Sequence, residues 1–571
     1  MAVASRDLAA AIRDRAVRRR LGAEDAVRYA LVAAFTGVLG LFVLYPMAHL
    51  VWRSLSSNDG RFVGMANYAR YFGTPAIASS ISNSLFVSLS SMIITVTLAF
   101  VYAYGLTRTL MPWRGLFRLI AMLPLFAPSL VQALAFIYIF GNNGILTRAT
   151  GLNVGIYGAK GIVLAEVFYC FPHAVLILMA ALSATDGRLY DAARTLGASP
   201  IKTFLTVTLP GVQFGLVSAC FVVFTLVVTD FGAPKAIGGK FSVMATEIYN
   251  QVSGQQNFTM GATVSVVLLI PAAVAFGVDR LVQRRQHALV TSASRPLELR
   301  PRPLSDWGCF AYCGVVAGAL AGLYLAIAVY SLVARWPYNF TPTLKHYAFD
   351  TVGGYTPLLN SVYVALWTAA VGTALTFGGA YVVEKCRSRA SGPLYLLSVL
   401  PVSIPGMVLG LAYIFAFNAP GSVLNRIYGT LAILVISNVI HYFTVGFLTA
   451  TTALRQMDAE FENVSSSLGV PFYRTFWRVT VPIALPSIVA ISMYFFLNAM
   501  VTLSAVVFLV APGTELASVA VLLMDDAGDT AQAAAMSVLI ITIGLGARLA
   551  YWALMRGVTR RAQAWLSPLS P

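Results

Sequence analysis

The sequence predicts an all-α, polytopic membrane protein of about 12 transmembrane helices, arranged as two parallel six-helix repeats. Three observations carry that expectation: the apolar excess, the spacing of the apolar runs and an internal repeat. Of 571 residues, 58% are hydrophobic and 11% charged, and the mean hydropathy is +0.76. A water-soluble domain carries about a quarter charged residues, so this balance excludes one. Runs of about 20 apolar residues cross a bilayer as helices, whereas β-barrel spans are roughly half as long and alternate.

In chain order, the first run is Tyr29 to Trp52. It follows a tail with Arg13, Arg15, Arg18, Arg19 and Arg20 and shows no small-residue cleavage site between Pro46 and Trp52, so it reads as a retained span rather than a signal peptide. Ser82 to Leu106 opens on Asn83-Ser84, Gly115 to Phe140 contains Pro124 and Pro128, and Gly161 to Ser183 holds Glu166. Gly211 to Val228 and Gly261 to Val278 complete the first half. The second half gives Gly308 to Val333, Asn360 to Val383, Pro393 to Phe417, Gly429 to Thr451, Ala484 to Val506 and Thr530 to Leu554. The expected divisions are a basic tail (1–28), a first membrane domain (29–278), a basic linker (279–307), a second membrane domain (308–555) and a closing tail (556–571).

The formal charge of +17 raises nucleic-acid binding, but the basic residues cluster by side of the membrane. With both termini cytoplasmic, roughly 28 Lys and Arg fall inside and roughly 10 outside, with Arg548 near the inner end of the last span, which satisfies the positive-inside rule. The run from Arg280 to Arg302, including Arg284, Arg285 and Arg295, becomes a cytoplasmic linker and needs no nucleic acid to explain it. Cys170, Cys220, Cys309, Cys313 and Cys386 form no CxxC pair and read as buried, inert thiols rather than a metal or redox site.

The halves repeat in sequence. Leu123-Pro124, Pro128 and Leu134-Ala135-Phe136 return 277 residues later as Leu400-Pro401, Pro405 and Leu411-Ala412-Tyr413, and Asn83-Ser84 returns as Asn360-Ser361. At an offset of 272, Asp186, Leu196-Gly197, Thr203-Phe204, Val207-Thr208 and Pro210 align with Asp458, Leu468-Gly469, Thr475-Phe476, Val479-Thr480 and Pro482. Six spans per half return the chain to the same side, so the repeat is parallel.

That second block is a polar loop between the fourth and fifth spans of each half. Asp186 suits a helix N-cap, Asp191-Ala192-Ala193 a helix with a small, approachable face, and Gly197 a left-handed turn. A second helix from Ser199-Pro200 then runs to Leu209-Pro210 at the membrane surface. The chemistry is mechanical rather than catalytic: no catalytic constellation and no GxxxxGK[ST] phosphate loop is present.

On these residues the chain resembles the permease subunits of type I ABC importers, specifically the fused, two-in-one permeases of the ferric-iron and 2-aminoethylphosphonate group. In that family the loop reads as an acid, two alanines, three residues and a glycine, with a Leu-Pro pair about a dozen residues on; Asp191-Ala192-Ala193, Gly197 and Leu209-Pro210 fit it. The second copy, Asn463-Val464-Ser465, Gly469 and Val481-Pro482, keeps the glycine and proline but loses the acid and alanines, and Glu460 and Glu462 lie out of register. The resemblance implies a multi-pass permease of the bacterial inner membrane. Its partners would be two copies of an ABC ATPase, which hold the ATP and Mg that this chain does not bind, and a periplasmic substrate-binding protein. It further implies that the loops couple to the ATPases, the first more strongly than the degenerate second.

Pathway candidates are Pro124, Pro128, Pro401 and Pro405, which permit bends in matched spans. Asn83 and Asn360 suit helix capping better than cargo contact, and Glu166 and His441, ionisable groups inside spans, suit a structural hydrogen bond or a cavity wall. Asp230 in Asp230-Phe231-Gly232-Ala233-Pro234, and Asp525, Asp526 and Asp529, are candidates for contact with the binding protein; their ligand set is incomplete for a metal. Asp230 to Pro234 resembles both branches of that group and Ala517 to Asp529 looks more like the phosphonate branch, a resemblance that implies 2-aminoethylphosphonate as cargo, with ferric iron the alternative. The rival class is an ion-coupled secondary transporter, which shares twelve helices but has no use for a repeated coupling loop. A channel is weaker, since no ring of pore charges is visible.

Overall fold

The apolar runs fold as helices because a bilayer offers the backbone no other partner for its hydrogen bonds. The structure, a computed structural model, describes residues 23–287, 295, 297–385, 390–418, 421, 423–458 and 460–563. Among them, ten helices are long and apolar enough to cross a membrane, and two bent pairs raise the number to 12 if each is one span. In the first half these are Ala26–Ser54, Pro75–Arg108, Ser129–Thr150, Ala159–Ser183, Pro200–Thr229 and Phe258–Val282. In the second they are Pro303–Leu332, Thr356–Glu384, the pair Ser391–Ser403 and Gly406–Phe417, the pair Leu431–His441 and Phe443–Gln456, Phe472–Val501 and Thr530–Gly557. A small antiparallel hairpin, Val333–Arg335 with Asn339–Pro342, follows the seventh span. The arginines of residues 13–20 and Cys386 lie outside the described residues, as do the side chains of Arg284 and Arg285. Cys170 and Cys313 are buried and Cys220 and Cys309 half-buried, all four free.

Two expectations about the spans need correction. Spans two, five, seven, eight and eleven begin earlier than the apolar runs suggest. Proline in the first turn starts four of these helices, at Pro75, Pro200, Pro303 and Thr356-Pro357, where its missing N–H costs nothing. Spans three and nine are broken rather than kinked. Leu123–Phe126 and Leu400–Ser403 tighten into 3-10 turns, Ala127 and Ile404 are extended, and Pro128 and Pro405 precede fresh helices at Ser129 and Gly406. In span nine the two pieces meet at 109°. A residue before proline is pushed out of the helical region, so Ala127-Pro128 and Ile404-Pro405 end a helix rather than bend it.

The halves are interlocked by exchange of their first spans. Phe35 and Phe42 of the first span pack against Phe443 and Phe417 of the second half, and the Tyr413 hydroxyl donates to the Phe42 carbonyl at 2.9 Å. Reciprocally, the seventh span lies on the first half, where the Tyr312 hydroxyl donates to the Leu98 carbonyl at 2.9 Å. Glycines make the approach possible: a Cβ on Gly379 would sit 2.1 Å from the Phe35 ring, and one on Gly105 would sit 3.2 Å from Cys313 Sγ. In a bilayer, where lipid is as apolar as leucine, such close packing is what drives helices together.

Candidate functional site

The two repeated loops emerge from the same face of the bundle. In the first, Asp186 N-caps the helix Gly187–Thr195, accepting from Arg188 N–H at 3.0 Å, a cap of about 1 kcal/mol. The Asp186 carboxylate also accepts from Arg295 N–H of the linker, and Gly187 N–H donates to the Arg295 carbonyl at 2.8 Å. These backbone bonds hold the carboxyl below the usual aspartate range. Gly197 closes the helix at φ +70°, Ser199 caps Pro200–Thr203, and a wide turn over Phe204–Thr208 feeds straight into the fifth span. The second loop repeats the first cap, the left-handed glycine and the wide turn, but Pro471 stands where Ser199 caps the second short helix. Asp458 accepts from Glu460 N–H at 3.0 Å, Gly469 takes φ +66°, and Phe472–Thr475 passes through a wide turn at Phe476–Thr480 into Val481–Val501. Leu209-Pro210 and Val481-Pro482 open the membrane-spanning helices in both.

The degenerate copy therefore keeps the backbone course of the first although its motif is lost. Both loops also carry the same exposed apolar positions, which the motif does not mention: Leu189, Leu196, Ile201 and Leu205 in the first, and Phe461, Leu468, Tyr473 and Trp477 in the second. Leu196 and Leu468, at 85% and 74% exposure, cap the two tips. Of the alanine pair, Ala192 faces outward while Ala193 is buried, and Asp191 pairs with Arg194 at 2.7 Å while staying largely exposed. Asn463 and Val464 sit on the outward side of the second helix, while Ser465 is half-buried.

A cation at the end of the second span of each half steadies the loop beside it. Arg108 lies 4.7 Å from the Tyr190 ring centroid and donates to the Leu182 carbonyl, while Lys385, its repeat mate, pairs with Glu462 at 3.1 Å. Tyr190 and Glu462 occupy equivalent positions, so cation–π in one half is replaced by an ion pair in the other. Glu462, considered from sequence as the acid offered to an ATPase, is thus an internal anchor.

Between the halves lies a cavity of ≈ 490 Å³. It is walled by Ser129, His173, Asp230 and Arg280 from the first half, and by Pro405, His441, Tyr442 and Asn498 from the second. Its wall includes the broken turn of span nine and the first residue of the helix that restarts span three, and it extends to Asp279 and Arg280 near the loop-side end of span six. Pro124, Pro128, Pro401 and Pro405 are all buried, and Pro405 lines the cavity itself. Where the returning segment meets the restarted helix, Ser129 opposes Gly232 in one half and Gly406 opposes Ser504 in the other: the same tight contact with its small partner exchanged.

Several sequence-derived residues lie elsewhere than expected. Asp230 is no surface contact: it accepts from Ser129 Oγ at 2.7 Å and from Ala233 N–H at 3.0 Å, fixing the Gly232–Ile237 turn in the cavity wall. Glu166 is wholly buried behind it, against Asp230 and Cys170. Their repeat mates are the neutral Asn438 and Thr502, so the acid pair belongs to one half. His441 does line the cavity, and so does His173, which only the tertiary packing reveals. Asn83 and Asn360 cap nothing, because their helices begin earlier. Their amides donate to the Ser242 carbonyl and to those of Gly513 and Glu515, while Ser84 and Ser361 accept from Met244 and Ala517 N–H. Each Asn-Ser pair pins the segment that follows the fifth span of its half. Asp526 pairs with Lys235 at 3.0 Å, Asp529 with the Thr351 hydroxyl, and Asp525 is half-buried. Among the described residues, no three His, Cys, Asp or Glu side chains converge as a metal site would require.

The comparisons with known proteins agree with this geometry. A family profile described as "Binding-protein-dependent transport system inner membrane component" matches residues 95–288 and again 370–560, together more than half of the chain. The ferric transport system permease protein FbpB of Actinobacillus pleuropneumoniae is 28% identical over 88% of this chain and 74% of its own length. The putative ferric transport system permease protein FbpB 1 of Haemophilus influenzae is 28% identical over 83% of this chain and 76% of its own. The spermidine/putrescine transport system permease protein PotB of Haemophilus influenzae, 26% identical, aligns over 94% of its own length with only 44% of this chain. One half here corresponds to a whole subunit there.

Proposed function

Because this chain belongs to the family of binding-protein-dependent transport system inner membrane components, a group of ABC permeases, we propose that it imports ferric iron delivered by a periplasmic binding protein, driven by two separate ATPase subunits. The observation that carries the coupling is the pair of equivalent loops. Each presents exposed apolar side chains at the same four positions of a capped helix–turn–helix whose second helix continues into the span that walls the cavity. An apolar tip held out in water is a docking surface for another protein. A push on it moves the fifth or eleventh span as one body.

In this reading the loop face is cytoplasmic, as the distribution of Lys and Arg favours, and both termini lie on that side. The cavity then extends toward the cytoplasm and is closed on the other side by contacts between the halves, an inward-facing arrangement. Closure of the ATPases around ATP draws the loops together and rocks the halves toward the outward-open form. Within the cavity, Asp230, His173, His441, Tyr442 and Asn498 offer oxygen and nitrogen atoms to a polar cargo. The chain's own residues bind, orient and release; no bond of the cargo is made or broken.

Ferric iron is preferred because two relatives aligned over most of this chain are ferric permeases by name. The resemblance of Ala517 to Asp529 to the phosphonate branch keeps 2-aminoethylphosphonate as a second reading. Reconstitution in proteoliposomes with the ATPase and the binding protein decides both points. Uptake of ferric iron that requires ATP is expected, uptake of aminoethylphosphonate alone transfers the reading to the second cargo, and uptake driven by an ion gradient without ATP overturns the ABC mechanism.

A further inference from the structure

On the face opposite the loops, one ion pair among the described residues joins the halves, and it has no counterpart in the repeat. Lys235, in the turn after the fifth span, reaches Asp526 at the end of helix Ala517–Asp526 in the other half, Nζ to Oδ1 3.0 Å. The same ammonium stands 5.4 Å from the Tyr249 ring centroid, and Tyr249 stacks at 6.0 Å and 20° on Phe508, again across the halves. Phe231 backs Tyr249 at 5.0 Å. The repeat mates of Lys235 and Asp526 are Val507 and Gly254, so there is a single such contact. It joins the turn after span five to the end of the helix that leads into span twelve, and span five carries the first loop on the other face.

We propose that Lys235, Asp526 and the Tyr249–Phe508 stack form the latch that holds the two halves shut on the outer side until a binding protein docks. This rests on the alternating-access reading above. An isolated, partly exposed ion pair contributes little. Here the Lys235 side chain is only 24% exposed and its charge is shared between a carboxylate and a ring face, so reversing it sets two acids, Asp525 and Asp526, against a third. The halves also meet on this side through Tyr138, whose hydroxyl donates to the Thr530 carbonyl at 2.9 Å, and through Arg148 over the Tyr338 ring, so breaking the latch shifts the population toward the outward-open form rather than unfolding either half.

The test uses the full chain. For the complex with its ATPase in nanodiscs, Lys235→Glu or Asp526→Lys is expected to raise ATP hydrolysis without binding protein about threefold to tenfold, and the double reversal to return it within about twofold. For the chain alone, spin labels at Lys240→Cys and Pro512→Cys, both exposed and in opposite halves, are expected to read a longer distance in each single reversal and the original distance in the double. The milder Lys235→Met, expected to move both readouts less in the same direction, keeps the test valid where a reversal fails to insert. Unchanged label distances in the single variants, or a rise that the double reversal does not undo, overturn the latch. A wild-type complex that transports nothing with ATP would overturn the ABC reading instead, and the label distances would still decide the latch.

Discussion

Gly197 offers the cleanest separation of backbone conformation from packing. It ends the first loop helix at φ +70°, and a Cβ placed there would meet nothing within 4 Å. Any effect of substitution thus comes from the left-handed conformation and not from a clash. An L-residue pays about 1–2 kcal/mol for that region, a β-branched one at the upper end, while asparagine pays less. If the loop docks on the ATPase only in this conformation, Gly197→Val weakens the complex about 5- to 30-fold, and Gly197→Asn only about twofold to threefold. The measurement is the affinity of the purified permease for its ATPase by light-based interaction analysis, with ATP-dependent uptake as the functional readout. Gly469, at φ +66° and with nothing within 4 Å of a Cβ, provides the matched experiment in the second loop. The sequence, with its degenerate second motif, expects Gly197 to matter more; the shared geometry expects the two valine variants to lose similar affinity. Equal behaviour of valine and asparagine at Gly197 would refute the reasoning, since it would mean that the turn is not held when the partner binds.

Leu196→Asp and Leu468→Asp are each expected to weaken ATPase binding about tenfold or more, because burying a leucine contributes about 1.5–3 kcal/mol, while leaving the melting temperature of the free chain unchanged. Gly379→Val, whose Cβ meets the Phe35 ring at 2.1 Å, is expected to destabilise the exchanged packing by about 1–3 kcal/mol in a thermal unfolding assay; Gly378→Val, with nothing within 4 Å, serves as the control. The Asp525 carboxyl is pushed up to about 6 by burial first and by the adjacent Asp526 next, with Lys235 opposing. A raised carboxyl binds its proton more tightly when folded, so stability is fullest below the unfolded value near 4 and falls as pH rises through 6, by at most about 3 kcal/mol. Asp525→Asn is expected to flatten this fall, read as melting temperature against pH; a slope identical to wild type counts against it.

Much of the fold was legible because it rests on local rules. Hydropathy placed the ten to twelve spans to within their ends, the third least well, since only helices satisfy a backbone in lipid, and the paired offsets of 277 and 272 exposed the two halves. The caps at Asp186 and Asp458 and the turns at Gly197 and Gly469 were equally readable, because capping and left-handed glycine depend on neighbours a few residues away. What misled was reasoning about side chains whose partners lie far along the chain. Asn83 looked like a cap, but its partner Ser242 is 159 residues away. Asp230 looked like a surface acid, yet Ser129 and Ala233 hold it in the cavity wall. Glu462 looked like a displaced docking acid, yet Lys385, 77 residues away, holds it.

The sequence alone determined the membrane class, the parallel duplication and the form of each loop, because these follow from hydropathy, periodicity and contacts within a single turn. Tertiary structure decided the exchange of first spans, the cavity shared by His173 and His441, and the common outline of two loops whose motifs differ. The physical reason is range. A helix or a cap is settled by atoms that the chain brings together within a few residues, whereas a cavity wall, a latch or an anchor is settled by which helices come to lie side by side.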